Sequence, residues 1–369
     1  VNVNALRRNA LALTERTGLP LIPMIKADAY GVGAAGVVRS LEPLEPMAYG
    51  VASVEEGEIL RHLGIARPII VFTPILEADY PRADSADLTP SLGDAASIRA
   101  WSAYAKPYQL AIDTGMNRAG LPWRDVASAR EAVRLSPPAG AFTHFHSAEL
   151  ENGSAELQVE RFFQAIDALG VDIPFLHADN SAAAARGLDG RGRWGAVRPG
   201  LFLYGVGAAT GIQPEPVVSL RARVFLYGVG AATGIQPEPV VSLRARVVDI
   251  RWVEAGDTVS YDAVYTAPQR ERIATATIGY GDGYPRSLSD KATALVNGAR
   301  VRQRGLVTMD MTMFDVTSVP CEIGDVVTLW GEKGGPELTV QGVARSAGMS
   351  PYELLTGLAP RLQRRFNEV

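Results

Sequence analysis

Cysteine is almost missing: Cys321 is the single one in 369 residues. That excludes a disulfide within the chain and any Cys-cluster metal site. Histidine is scarce too. His62, His144, His146 and His177 are the four, and none falls in an HExxH or similar spacing, so no metal is expected. His144 and His146 stand two apart and would share one side of a strand. No apolar run approaches the roughly 18 residues of a membrane-spanning helix. Positive charge is not in excess either. The net charge of −4 gives no electrostatic basis for nucleic acid or for an anionic membrane surface. No signal-peptide pattern is visible, so a cytoplasmic location is expected. The chain opens on Val1, already inside a helical pattern, and a leader removed before that point is compatible with it.

What is present is an ordinary globular composition, 47% hydrophobic and 21% charged, with material for a large core. The length suggests two domains. In the first two hundred residues, short apolar runs alternate with Ala-rich amphipathic stretches. The runs cover 21–26, 47–53, 68–73, 87–92, 108–113, 141–145, 175–180 and 197–204. Helical patterns lie between them, at 54–63, 93–105, 123–135 and 155–169, and Ser53 with Glu56 reads as a capping box. Strands alternating with helices imply parallel pairing. Eight such runs fit an α/β fold of the (β/α)8 TIM-type barrel class. A doubly wound open sheet is the alternative, but no GxGxxG follows the first strand.

In such a barrel, chemistry lies at the C-terminal ends of the strands, and those ends are polar here. The first reads Pro23-Met24-Ile25-Lys26-Ala27-Asp28-Ala29-Tyr30-Gly31-Val32-Gly33. A lysine where an apolar run meets a Gly-rich turn is often only a surface charge. Held on a rigid strand and partly desolvated, it would have a lowered pKa, suited to imine chemistry with an aldehyde. The other ends carry Asp113-Thr114-Gly115-Met116-Asn117-Arg118, His144, His177 with Asn180-Ser181, and Arg198-Pro199-Gly200. Each has a plain structural reading as a turn, a helix cap or an ion pair. Together they suit an anionic, planar cofactor. The start of the Asn180-Ser181 helix and the Gly200-Leu201 backbone offer N–H donors to a phosphate. His144 offers a ring, Arg198 a fixed cation and Lys26 an amine. Pyridoxal 5'-phosphate meets all of these.

After Val247 the helical pattern nearly disappears. Short β-type runs at 247–252, 272–278, 294–296, 306–309, 326–330 and 337–340 predict a mostly-β second domain, ending in helical segments at 341–347 and 351–358. Ser260-Tyr261-Asp262-Ala263 and Gly279-Tyr280-Gly281-Asp282-Gly283 stand out within it. A strand tyrosine is ordinarily core or interface packing.

The stretch Lys26 to Gly33 resembles the cofactor-lysine motif of the alanine racemases. The segments 113–118, Thr143-His144-Phe145, Asn180-Ser181 and Arg198-Pro199-Gly200 resemble that family's later motifs, in order. The resemblance covers nearly the whole chain. It implies a barrel binding pyridoxal phosphate, a C-terminal β-domain, alanine as substrate, and a head-to-tail homodimer with shared active sites. Catalysis would fall to Lys26 and Tyr261, two bases on opposite faces of a planar carbanion. A phenol with an ordinary pKa near 10 needs help from a cation for that role. The cofactor would be held by Lys26, Tyr30, His144, Asn180, Ser181, Arg198, Gly200, Leu201 and Tyr352. Arg118 and Met309 would bind substrate, and Tyr261 and Met309 would enter the partner's site. D-alanine formed this way would feed peptidoglycan. Two departures stand out: Ala111 occupies the place of the family's carbamylated lysine, and Leu306 replaces a basic residue of the access corridor. A broader amino-acid racemase, an aldolase or decarboxylase on the same barrel, and a cofactor carrier remain alternatives.

Residues 202–224 recur without change as 225–247. Two identical copies are not a fold-building repeat, which needs about three or more units. The duplication is recent, introduced, or present only in the recorded sequence. It falls at the expected domain junction, dividing the chain into a barrel at 1–224 and a β-domain at 225–369. Extra length there adds only about 1 kcal/mol of closure entropy, although a racemase-like protein impaired by the insert is a further alternative.

Overall fold

The computed structural model describes every residue except 189, 191, 208–210, 218–240, 332–334 and 364–369. Most of the doubled segment, and with it the 224/225 division, lies outside the described residues.

The expected barrel is present. Parallel strands β1 (Tyr49–Val51), β2 (Ile69–Val71), β3 (Thr89–Leu92), β4 (Gln109–Asp113), β6 (Gly140–Phe142) and β7 (Leu176–His177) follow one another in chain order. A short β5 (Leu121–Pro122) pairs with β4 off this path. Residues 21–25 and 197–198 close the ring through parallel bridges, Leu21 to Val197, Met24 to Gly50 and Asn180 to Arg198. Backbone bonds continue them: Ile22 N–H donates to the Val197 carbonyl (2.8 Å), Met24 to Pro199 (2.9 Å) and Ile25 to Gly50 (2.7 Å). These strands are buried on both faces, which is why each reads as a continuous apolar run. The last run is shorter than its hydrophobicity predicts. Pro199 has no N–H for the ladder, and residues 201–205 turn away. Inside the ring, Ile22, Ala48, Ile70 and Ala196 pack with Phe72 and Phe175.

Helix starts follow the caps in the sequence. Asn2 caps Val3–Thr17, Asp94 caps Ala95–Ser102 and Asn180 caps Ser181–Arg186. The expected capping box at Val54–His62 is only half made. Ser53 Oγ accepts from Glu56 N–H, but the Glu56 carboxylate accepts from the backbone of Ala52 and Ala27 instead.

The second domain is a closed antiparallel barrel of β11 (Glu271–Ala276), β14 (Thr312–Asp315), β13 (Ala299–Arg304), β12 (Thr293–Val296), β15 (Val326–Trp330) and β8 (Leu243–Val253). The alternation Leu-Arg-Ala-Arg-Val that opens β8 turns the apolar side chains inward and Arg244 and Arg246 outward. A two-stranded ribbon of β9 (Thr258–Val259) and β10 (Tyr265–Thr266) projects from it. Residues 306–309 form a loop rather than a strand, and 337–340 a turn of 3₁₀ helix leading into Val340–Ala347. Among the described residues no helix is long and apolar enough to cross a membrane, and no His/Cys/Asp/Glu group is placed to hold a metal ion.

Candidate active site

The β-domain sits over the C-terminal strand ends of the barrel in the same chain. Lys26 ends the first barrel strand there, half-buried. Behind it the backbone makes a left-handed turn through Ala27, Asp28, Ala29 and Tyr30, with φ of 53°, 52°, 54° and 57°. Each costs roughly 1–2 kcal/mol for a residue with a Cβ. The turn is held by Glu56 Oε1 accepting from Ala27 N–H (2.6 Å) and Asp28 Oδ1 accepting from Ala34 N–H (2.7 Å). Such strain, fixed by its surroundings, is common where a side chain must be aimed.

Lys26 Nζ lies 2.5 Å from Asp310 Oδ2. Arg361 meets the other Asp310 oxygen (3.1 Å), Glu56 (2.9 Å) and Asp282 (2.7 Å). The expected lowering of the Lys26 pKa is therefore reversed. Burial acts to lower it, but the Asp310 carboxylate, with Tyr30 and Tyr261, outweighs burial and leaves the ammonium raised. Burial acts to raise Asp310 in turn, and Lys26 with Arg361 holds it lowered.

Tyr261 comes from the turn between β9 and β10. Its hydroxyl accepts from Arg118 Nη1 (3.0 Å) and lies 3.1 Å from His144 Nε2. The turn is strained as well, with φ of 76° at Ser260 and 60° at Asp262. Four bonds dock it. Ser260 Oγ donates to the Leu306 carbonyl (2.9 Å), Ser260 N–H to Met116, Asp262 N–H to His146, and Asn117 Nδ2 to the Thr258 carbonyl. Arg118 is placed by Asp113, whose carboxylate accepts from the N–H groups of Gly115, Asn117 and Arg118. Arg251 of the β-domain pairs with the same carboxylate at 2.8 Å. Burial, then Arg118, Arg198 and Lys26, push His144 well below the usual imidazole range. It is neutral, and can hold the phenol by either tautomer. Ala111 lines a cavity beside Arg118, His144, Phe72, Phe142 and Met311.

Arg198 is buried beneath His144. Its guanidinium meets His177 Nδ1 (2.8 Å) and donates to the carbonyls of Thr143 (2.7 Å) and Ala178 (2.8 Å). Burial pulls it down to about 9, so it is still a cation at neutral pH. Ser181 Oγ, just past the Asn180 cap, accepts from Gly200 N–H (2.8 Å) and Phe202 N–H (3.2 Å). A Cβ at Gly200 would run into the Tyr30 hydroxyl. Backbone donors, a hydroxyl, a phenol and a residue that must lack a side chain thus form one small cradle near Lys26. That donor set fits a phosphate, and with the Lys26 amine and the Arg198 cation it fits pyridoxal phosphate. Leu201 is exposed at its rim. Met309 lies on the loop beside Asp310, its carbonyl accepting from Gly281 N–H. Tyr352 falls in Pro351–Thr356, but its side chain is outside the described residues.

The sequence marks Glu56 only as a helix cap and Asp310 only as the neighbour of Met309 in Thr308-Met309-Asp310, a segment similar to the family's substrate-side loop; it marks neither Arg361 nor Arg251. Arg361 and Arg251 carry no local signal.

The family model described as "Alanine racemase, N-terminal domain" matches residues 1–208, and the "Alanine racemase, C-terminal domain" model matches 240–366. The alanine racemase of Citrifermentans bemidjiense is 35% identical, over 99% of this chain and 97% of its own length. Among solved structures, the alanine racemase of Clostridium difficile 630 is 27% identical with a TM-score of 0.56, covering 98% of this chain and 92% of the other. The histidine racemase of Leuconostoc mesenteroides is 25% identical with a TM-score of 0.54, covering 100% and 97%. Two domain matches in order, and that identity over nearly the full length, decide the matter: the chain belongs to the alanine racemase family of isomerases.

Proposed function

We propose that the chain interconverts L- and D-alanine with pyridoxal 5'-phosphate as cofactor, Lys26 and Tyr261 handling the proton of the α-carbon from two directions. The observation that carries this reading is the pairing of the Tyr261 hydroxyl with both Arg118 (3.0 Å) and His144 (3.1 Å) at the strand-end face that holds Lys26. When bound, the cofactor supplies an aldehyde for the substrate amine and a ring that spreads the charge left as the Cα–H bond breaks.

Lys26, Tyr30, His144, Asn180, Ser181, Arg198, Gly200, Leu201 and Tyr352 would hold the cofactor. The Ser181 hydroxyl and the N–H groups of Gly200 and Phe202 already converge, and would take its phosphate. Arg198 stays charged, so a ring nitrogen set against it would remain unprotonated. That makes a weaker electron sink and favours proton return over loss of carboxylate. The Lys26 amine must shed the proton that Asp310 stabilises before it acts as nucleophile or base. Tyr261 exchanges its proton through a hydroxyl fixed between a cation and a neutral imidazole. Arg118 and Met309 would face the substrate. The D-enantiomer would serve peptidoglycan synthesis, in a cytoplasmic enzyme. The family resemblance adds a homodimer.

Likeness to a histidine racemase favours a second reading, a broader amino-acid range, with Leu306 in place of the family's usual basic residue. Assay with L-alanine and with larger L-amino acids, each with added pyridoxal phosphate, tests both readings. D-alanine as the dominant product supports the first. A larger amino acid turned over faster supports the second. No D-amino acid from any of them rejects both.

A further inference from the structure

In the sequence Gln158 is only one polar position of a helical stretch. In the fold it is buried on the helix Ser154–Leu169, and both ends of its amide are used. Its Nε2 donates to Thr114 Oγ1 (3.0 Å) and to the His144 carbonyl (3.1 Å), and its Oε1 accepts from His146 N–H (3.0 Å). The ladder of β6 ends at Phe142 on both sides. Beyond it a carbonyl and an N–H two residues apart face one edge of the extended chain. A side-chain amide carries the same donor and acceptor as a peptide group. Gln158 therefore stands in for a strand neighbour where the sheet has stopped, and spares two buried peptide groups from going unpaired.

The third bond reaches a different strand. Thr114 directly follows β4. Its hydroxyl also pairs with Thr143 Oγ1 (2.7 Å), and its carbonyl accepts from Arg161 Nη1 (2.9 Å), one turn along the same helix. The loop that Thr114 opens moves as a unit, because the Asp113 carboxylate accepts from the N–H groups of Gly115, Asn117 and Arg118. One side chain thus ties the strand end that carries Arg118 to the strand end that carries His144. Those two hold the Tyr261 hydroxyl at 3.0 and 3.1 Å. A change of about 0.5 Å in their separation would take one contact past about 3.5 Å, where a hydrogen bond is no longer made. Gln158, Thr114 and Thr143 all belong to the barrel, so this staple is the same whichever chain supplies Tyr261.

We propose that Gln158 is a positioning residue of the reaction: it staples the end of β4 to the end of β6, and so fixes the separation of Arg118 and His144 on which proton transfer at Tyr261 depends. Its role in catalysis rests on the racemase reading above; the staple does not. Among the described residues Gln158 makes no hydrogen bond to Tyr261 or Lys26, so it acts only through the groups it places.

The test uses Gln158→Met, which keeps the length and removes both donors and the acceptor. Thr114→Val removes only the hydroxyl, and carries the kinetic test should the first chain fail to fold. Without cofactor, hydrogen exchange read by mass spectrometry follows the His146 amide. Exchange about tenfold faster or more is expected there in Gln158→Met; unchanged exchange overturns the staple. With pyridoxal phosphate added, each enantiomer of alanine is compared with its Cα-deuterated form. One enantiomer gives its α-proton to Tyr261 and the other to Lys26. We expect a rate loss of about tenfold to a hundredfold in Gln158→Met and a smaller one in Thr114→Val. The isotope effect should grow for the first enantiomer relative to the second, because the step at Tyr261 has become the slow one. A residue that only supports the fold would lower both rates and leave the two isotope effects in their wild-type ratio, and that result overturns the positioning role. So does an unchanged rate. A wild-type chain that forms no D-alanine, with exchange still faster in Gln158→Met, would reject the racemase reading and leave the staple standing.

Discussion

Replacing Arg251 with methionine takes out one of the cations that join the two domains beneath the active site. Arg251 is buried. Its guanidinium donates to Asp113 Oδ2 (2.8 Å), to both oxygens of Asp249 (2.8 Å each) and to the Gly120 carbonyl (3.0 Å). Removing one member of a buried ion pair costs about 3–5 kcal/mol, because the charge left behind is desolvated and unpaired. The two carboxylates left behind are not equivalent. Asp113 keeps three backbone N–H donors. Asp249 loses its guanidinium, and burial already pushes its pKa up despite Arg251. Asp249 should therefore carry most of the cost, and adding Asp249→Asn to Arg251→Met should return part of it. Urea unfolding of the purified chains gives the magnitudes, and the racemisation rate reports whether the Asp113–Arg118 loop has shifted. We expect Arg251→Met about 3–5 kcal/mol below wild type, with the double variant between them. A single variant within about 1 kcal/mol of wild type, or a double variant no better than the single, would refute the reasoning.

Ala27→Gly should raise stability by about 1 kcal/mol in thermal unfolding, because φ is +53° there and a Cβ is strained in that region; a loss of the size seen for glycine in a right-handed helix would count against the left-handed turn. Gly200→Ala should leave the fold intact but weaken pyridoxal phosphate binding at least tenfold by fluorescence titration, since the new methyl collides with the Tyr30 hydroxyl; unchanged binding would remove Gly200 from the cradle. His177 is held well below the imidazole range by burial and Arg198, and His144 likewise by burial and its cationic neighbours. The unfolded chain binds protons that the folded one refuses, so stability is full above pH ~6.5 and falls as the pH drops below it, by about 1.4 kcal/mol per pH unit for the fully buried His177 alone. Stability measured flat from pH 7 to 5 would contradict this. Intact-mass spectrometry should return the full 39.4 kDa; a mass short by one repeat unit would place the duplication in the record alone.

The barrel was legible because each parallel strand is buried on both faces and leaves a continuous apolar run with a polar residue at its end. The β-domain was less so. β13 reads Ala-Arg-Val-Arg-Gln-Arg, with Arg300 and Arg302 exposed, and β14 is only four residues long. Residues 306–309 carry a strand-like composition but follow Gly305, whose φ of +70° breaks the extended chain. Lys26, Tyr261, Arg198 and Ser181 could be picked out by type and position. The partners that tune them could not. Lys26 and Asp310 are 284 positions apart, and Glu56 looked fully used as a helix cap. Which carboxylate reaches which cation depends on how the two domains dock, and no local pattern encodes that.

The most direct measurement follows each pure enantiomer of alanine in D2O with the pyridoxal phosphate-loaded chain, reading enantiomer and Cα deuterium by chiral chromatography and mass spectrometry. Wild type should bring both enantiomers to the same racemic mixture with deuterium in the product, while Tyr261→Phe should lose interconversion yet still exchange the α-proton of one enantiomer through Lys26. Equal interconversion by Tyr261→Phe and wild type, or none by wild type from either side, would contradict a racemase that works with these two groups.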